Sequence, residues 1–322
     1  MLTNAIDPSG VEILSRVADV VVAPDAKADT LNRMVLDADV LMVRAFLPPD
    51  IFDGPHHLRG VVRHGVGLDM IPMDSATAKG IPVANVPGSN AEAVAEHAIA
   101  GMLLVARGIH RMDRELRETD WNTARRHSDD STELLGRTLG IVGMGNVGTR
   151  VAEIAHAAFR MRVLGTASRS KPAPTFVEVA TPERILRESD FVVLACPLTD
   201  ATRHLVNAER LATMKPGAAI VNVARGPVTD ERALATALAQ GRLRAAVMDV
   251  YDEQPIPRDH PFLSLANVIL TPHAAGITQE SMKRMSQGAA EETLRLVAFQ
   301  RPANLCNPSV WDAHLQRHGR QP

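Results

Sequence analysis

The sequence predicts an α/β protein built on parallel sheets, and three observations carry that expectation. Short β-branched runs alternate with helical stretches along most of the chain, and the alternation breaks off and restarts once, near Gly136. The length, 322 residues, corresponds to about two domains at roughly 150 residues each. Strands separated by helices pair in parallel, because each crossover helix carries the chain back to the same end of the sheet. Composition excludes several other classes. Apolar residues make up 45% and charged residues 22%, which is neither disordered, collagen-like nor coiled-coil. The formal charge, 35 − 37 = −2, argues against a nucleic-acid partner. No apolar run approaches the 18 or so residues of a membrane span, so no membrane partner is expected. The opening MLTNAIDPSGVEIL lacks the basic and apolar regions of a secretory signal. The two cysteines, Cys196 and Cys306, form no framework, and a cytoplasmic location follows.

In chain order, VADVVVA (17–23), ADVLMV (38–43), RGVVRH (59–64) and IPVANV (81–86) read as buried strands. Ser89, with Glu92 three residues on, has the spacing of a capping box and predicts one helix from 89 to about 110. After Gly136 come six strand candidates, in TLGIV, MRVLGTASRS, DFVVLAC, AAIVNVA, LRAAVMDV and NVILTP. Thr181-Pro182 and Asp230 are predicted helix caps, and Gly241 a C-terminal stop.

Gly143-Met144-Gly145-Asn146-Val147-Gly148 is a G-x-G-x-x-G placed directly between the strand LGIV and a helix. That context makes it specific. Gly143 permits the tight turn, Gly145 lets a pyrophosphate approach the backbone, and Gly148 lets helix and strand pack closely. Amides at the helix N-terminus hold the phosphates. The motif predicts a Rossmann-type dinucleotide site. An NAD-preferring site places Asp or Glu about 20 residues on. Here that position is Ala167, followed by Ser168, Arg169, Ser170 and Lys171. Arg169 can pair with a 2′-phosphate, so NADP(H) is the predicted cofactor, with NAD the alternative.

Three later strand ends add chemistry. Arg225 follows AAIVNVA, the 249–254 segment follows LRAAVM, and His273 follows NVILTP. Ligands of open α/β sheets bind at such carboxyl ends, and a guanidinium there suits a carboxylate.

These stretches together resemble the D-isomer-specific 2-hydroxyacid dehydrogenase family. The likeness runs from RHGVGLD and PGSNAEAVAEH through LGIVGMGNVG, SDFVVLACPLTDATRHLVNAERLATM and MKPGAAIVNVARG to TPHAAG. It implies a Rossmann doubly wound cofactor domain, 90–272, inserted in a smaller flavodoxin-like α/β substrate domain, 1–89 plus 273–322. It implies Arg225 on the substrate carboxylate and His273 as proton carrier. Cofactor contacts are implied at Asn146, Val147, Cys196, Pro197, Ala224 and Asp249, and substrate contacts at Arg44, Val66 and Gly67. A small 2-oxoacid or 2-hydroxyacid as partner and a homodimer built on the 89–110 helix are also implied. No metal is: His56-His57 lacks a recognisable ligand set.

One position departs from the family pattern. Where the family has Glu beside the catalytic histidine, this chain has Gln254, with Glu253 one residue earlier. An amide oxygen can accept the Nδ1–H bond, but it carries no charge to raise the histidine pKa. His273 is then expected to titrate near the ordinary 6.5 or so. A local bulge would bring Glu253 there instead. Formate dehydrogenases are similar at this Gln, but their serine two residues after the histidine is Ala275 here. Formate oxidation and a non-catalytic, corepressor-like nucleotide sensor stand as alternatives to a 2-oxoacid reductase.

Overall fold

The computed structural model describes residues 1–167 and 172–319. Two compact units make up the chain, Met1–Asn90 with Ile277–Pro322, and Ala91–Gly276.

The first unit opens with α1 (Pro8–Leu14), capped by the Asp7 carboxylate on the Ser9 amide. It continues through α2 (Ala28–Met34), β1 (Val40–Val43), β2 (Gly60–Arg63), α3 (Met73–Ala78) and β3 (Val83–Ala84). The strands pair in parallel in the order β1-β2-β3. Leu2 bridges both Met42 and Val22 in parallel. With the bridging segments at Leu2 and Val22 counted beside the three strands, the order by position in the chain is 2-1-3-4-5, the flavodoxin-like order.

The second unit begins with α4 (Ala91–Arg107), α5 (Ile109–Glu118) and α6 (Trp121–Arg126). Then follow β4 (Thr138–Val142), α7 (Asn146–Phe159), β5 (Arg162–Gly165), β6 (Val177–Val179), α8 (Pro182–Glu188) and β7 (Phe191–Leu194). The last elements are α9 (Ala208–Thr213), β8 (Ala219–Asn222), α10 (Glu231–Ala239), β9 (Ala245–Met248) and β10 (Val268–Leu270). All seven strands are parallel, in the order β10-β9-β8-β7-β4-β5-β6. The direction of winding reverses between β4 and β7, the topological switch point of a doubly wound sheet. Period-two alternation sends Val192, Leu194, Ile220 and Met248 to one face and Leu139, Ile141, Val193, Val221 and Val247 to the other. Because helices cover both faces, the central strands β4, β7, β8 and β9 are buried along their whole length. The chain returns to the first unit with α11 (Gln279–Val297), opened by a Thr278/Ser281 capping box, and α12 (Trp311–Arg317).

Several expectations are corrected. The 17–23 run is no strand: Val17 and Ala18 donate to the Leu14 carbonyl and close α1, leaving one bridge at Val22. The 81–86 run shortens to Val83–Ala84. The Ser89 capping box does not form. Ser89 Oγ donates to the Val86 carbonyl, α4 starts at Ala91, and Glu92 pairs with Arg150. The 89–110 helix is broken at Gly108, whose φ of +63° is a left-handed conformation no helix interior accepts. A seventh strand, β6, has only one buried residue, Val177, too little apolar signal to read from sequence. The expected caps at Thr181 and Asp230 form, on the amides of Arg184 and Ala233. The boundaries also differ. The units divide at 90/91 and 276/277 rather than 89/90 and 272/273, so His273 belongs to the second unit, where its amide bonds the Asp249 and Thr271 carbonyls.

Candidate active site

Within the second unit the Gly-rich turn follows β4. Gly143 has φ +105°, and a Cβ there would lie 2.5 Å from the Cys196 amide nitrogen. A Cβ on Gly148 would lie 2.0 Å from the Gly143 carbonyl oxygen. The fold itself therefore requires both glycines. Gly145 differs: its φ is −80° and a Cβ would meet no protein atom within 4 Å. It caps the 14-residue α7 without a side chain to occupy the first amides. The space above it suits a group that must approach backbone closely, as a pyrophosphate does at a helix N-terminus. A dinucleotide fits these residues. Thr166 anchors the turn by accepting the Gly143 amide at 2.9 Å, a contact that sequence reading missed. Cys196, 8% exposed, and Pro197 follow β7 on the other side of the switch point; burial pushes the Cys196 thiol up to about 11, so it packs as an inert side chain. Ala167, one residue beyond Thr166, is exposed. Ser168 and Arg169, the residues read as 2′-phosphate partners, lie outside the described residues.

Three neighbouring strand ends carry the remaining polar groups. At the end of β8, buried Asn222 builds the turn that presents Arg225. Its amide oxygen accepts from Ala224 at 3.0 Å, and its amide nitrogen donates to the Arg225 carbonyl at 3.1 Å. The Arg225 guanidinium donates to the Ala224 carbonyl at 2.6 Å. The next residue, Gly226, lies against the 249–255 loop, where a Cβ would fall 2.0 Å from the Tyr251 carbonyl carbon.

Beyond β9, Asp249 is 2% exposed. Its carboxylate accepts the Thr271 hydroxyl at 2.6 Å and the amides of Ala274 and Ala275 at 2.8 and 3.0 Å. The turn between Thr271 and Ala274 puts His273 at φ +54°, a left-handed conformation costing on the order of 1–3 kcal/mol. Asp249 offsets that strain by bonding the residues on both sides. Sequence reading placed Asp249 at the cofactor and missed this bracing role, which depends on bonds spanning 22 to 26 residues.

Gln254 Oε1 lies 2.8 Å from His273 Nδ1. The amide's orientation is set by its other end, since Nε2 donates to the Tyr251 carbonyl at 3.1 Å. With oxygen facing the ring, His273 Nδ1 must be the donor and Nε2 the other functional nitrogen. Gln254, not Glu253, makes this contact.

In the first unit, β2 ends in the turn that holds Val66 and Gly67. Arg63 braces it, donating to the carbonyls of Gly67, Val43 and His64 at 3.0, 2.9 and 2.7 Å. Gly65 has φ +136°. Among the described residues, neither the Val66 nor the Gly67 amide donates to a protein acceptor. His64, 3% exposed, bonds Ser286 of α11 at 2.7 Å, and burial holds its pKa down to about 4. The Arg44 guanidinium donates to the Ala5 carbonyl and lies 3.7 Å from Met282 Sδ.

Sheet order and the Gly-rich turn define a dinucleotide-binding protein of the doubly wound class. Residues 99–275 match the model of the D-isomer specific 2-hydroxyacid dehydrogenase NAD-binding domain. The chain is 40% identical over 297 residues to a glyoxylate reductase of Korarchaeum cryptofilum, covering 89% of this chain and 88% of that protein. It is 36% identical to the D-3-phosphoglycerate dehydrogenase of Methanocaldococcus jannaschii over 95% of this chain, but spans only 59% of that longer relative. The crystal structure of the TT0316 protein from Thermus thermophilus superposes with a TM-score of 0.85 at 32% identity, covering 95% of this chain and 98% of that one. The chain belongs to the D-isomer specific 2-hydroxyacid dehydrogenase family, and its second unit is a nicotinamide-dinucleotide domain.

Proposed function

We propose that the protein reduces small 2-oxoacids of the glyoxylate and hydroxypyruvate class, with NADP(H) preferred over NAD(H). The observation that carries this reading is His273, held in a left-handed turn that Asp249 braces, with Nδ1 bonded to Gln254 Oε1. A bound reduced nicotinamide supplies a hydride to the substrate carbonyl carbon. As the carbonyl π electrons move to oxygen, His273 Nε2 gives that oxygen its proton, stabilising charge where it develops. Arg225 orients the substrate carboxylate, and the amides of Val66 and Gly67 and the Arg44 side chain are assigned to the substrate as well. Gln254 holds the His273 tautomer. Phosphate binding is assigned to Gly143, Gly145, Asn146, Val147 and Gly148, and further cofactor contacts to Cys196, Pro197, Ala224 and Asp249. The absence of a carboxylate at Ala167 supports NADP(H), with Ser168 and Arg169 the proposed partners of the 2′-phosphate.

The test is turnover of glyoxylate, hydroxypyruvate and bulkier 2-oxoacids with NADPH and with NADH. Reduction with higher kcat/KM for NADPH is expected, and a clear NADH preference overturns the cofactor assignment. Gln254 against His273 also favours a second reading, formate oxidation; NAD(P)⁺ reduction by formate would decide for it. No turnover with any of these compounds favours a nucleotide sensor. We further propose a homodimer through the surface of α4 to α6, where Ile109 of α5 and Trp121 of α6 are 47% and 64% exposed; light scattering tests it. With both cysteines free, a reducing cytoplasm is the proposed compartment.

A further inference from the structure

The second unit holds a buried carboxylate–imidazole pair that the proposed chemistry does not use. Glu231, the first residue of α10, is 6% exposed, and its Oε2 lies 2.9 Å from His260 Nε2. Its Oε1 accepts the Asp252 amide at 3.1 Å. His260 Nδ1 accepts the Phe262 amide at 3.3 Å. These bonds determine the protonation pattern. A neutral imidazole has one donor and one acceptor, so Nε2 carries the proton and Glu231 is a carboxylate accepting two N–H groups. Burial pushes the Glu231 carboxyl up, and neighbouring Asp252 adds to this, while the bonds from His260 and the Asp252 amide oppose it. Asp252 in turn is faced by His204, Asp230, Arg203 and His260.

Asp252 stands two residues before Gln254 on the same loop. That loop is also held by the Tyr251 hydroxyl, 2.9 Å from the carbonyls of Met248 and Thr271, and by its close approach to Gly226. The Gln254 amide takes its direction from the Tyr251 carbonyl. The contacts that aim Gln254 at His273 therefore run through the backbone of residues 251 and 252.

We propose that Glu231 and His260 are positioning residues for His273, holding the 251–254 backbone so that the Gln254 oxygen stays on Nδ1. The inference rests on His273 being the proton donor of a reductase. Replacing Glu231 with Gln cannot preserve the arrangement. An amide has one acceptor oxygen and puts a donor where the second carboxylate oxygen stood, so either the Asp252 amide or His260 Nε2 meets another donor.

The experiment compares wild type, Glu231→Gln, His260→Ala and His260→Gln. It reads kcat, the pH profile of reductive kcat/KM and the solvent deuterium isotope effect. In the cofactor-free proteins, imidazole ¹⁵N shifts report the His273 tautomer. Glu231→Gln and His260→Ala should lower kcat by about tenfold to a hundredfold, the scale of a small misplacement of a catalytic group. They should also raise the isotope effect, move the alkaline limb to lower pH and shift His273 away from the Nδ1–H tautomer. His260→Gln, whose amide nitrogen can still reach the carboxylate, should recover most of the loss. Should Glu231→Gln fail to fold, the His260 pair decides on the same readouts. An unchanged tautomer, limb and isotope effect in folded His260→Ala overturns the proposal, whether or not kcat falls in proportion to folded protein. Wild type without 2-oxoacid turnover refutes the reductase reading, and the tautomer measurement then still decides whether the pair positions His273.

Discussion

Gln254→Glu is the most direct perturbation of the proposed proton donor. It places a carboxylate oxygen where Oε1 now lies, 2.8 Å from His273 Nδ1, without changing the length of the side chain. The charge centres would be about 4 Å apart, an attraction of about 1 kcal/mol in water and about 4 kcal/mol at an effective dielectric of 20. Both side chains are exposed, so the lower end applies, and about 1 kcal/mol corresponds to roughly one pKa unit. The sign is upward, because a negative neighbour favours the imidazolium. Reduction needs that imidazolium, so the alkaline limb of kcat/KM should move up by about one pH unit and activity well above the limb should rise about tenfold. Steady-state reduction of the best 2-oxoacid between pH 5 and 10, at saturating reduced dinucleotide, measures it. A limb that stays in place or moves down refutes the assignment of His273 as the acid and of Gln254 as its partner.

Arg225→Ala should chiefly raise KM, by about a hundredfold if a charge-assisted pair worth roughly 3 kcal/mol is lost, whereas His273→Ala should chiefly lower kcat, by about 10²–10⁴; near-wild-type kinetics in both would remove them from the mechanism. Gly145→Ala adds a Cβ that meets no protein atom, so thermal stability should hold while dinucleotide affinity, read by fluorescence titration, falls at least about tenfold; unchanged affinity would place the phosphates elsewhere. Among the described residues, buried His314 has neither ring nitrogen bonded, and it is held down to about 4 by burial, His318 and Arg317. Its folded pKa lies below the unfolded value of about 6.5, so the unfolded state binds the proton first. Stability should fall as pH drops from about 6.5 to about 4, by up to about 1.4 kcal/mol per pH unit for each such group. His64, also near 4, acts in the same direction. Denaturant unfolding of His314→Phe at pH 7 and pH 5 should show a smaller loss on acidification than wild type; an equal loss shows that His314 does not contribute.

Much of the second unit is legible in the sequence because its signals are local. Gly143 and Gly148 announce a strand–turn–helix, since only glycine tolerates φ +105° at the first and a 2.0 Å approach at the second. Thr181 and Asp230 cap helices through contacts three residues long. The misses are of two kinds. Where apolar content is thin, as in β6, burial on one side of a sheet edge leaves too little pattern to read. Where local propensity is sound but the surroundings compete, as at Ser89, the hydroxyl takes the Val86 carbonyl instead of capping α4. The break at Gly108 belongs to neither kind: an interior glycine is compatible with a helix, and only the observed φ shows that it ends one.

The amino-acid sequence alone determined the class of fold and the dinucleotide turn, and it offered Arg225 and His273 as candidates, with Gln254 added by the family resemblance, because alternation, glycine spacing and strand ends are properties of neighbouring residues. Tertiary structure alone decided how the histidine is held. Asp249 braces it across 22 to 26 residues, Asn222 shapes the arginine turn, and the amide orientation of Gln254 is set by Tyr251. Those bonds join strand ends whose adjacency comes from the winding of the sheet, and no spacing along the chain encodes them.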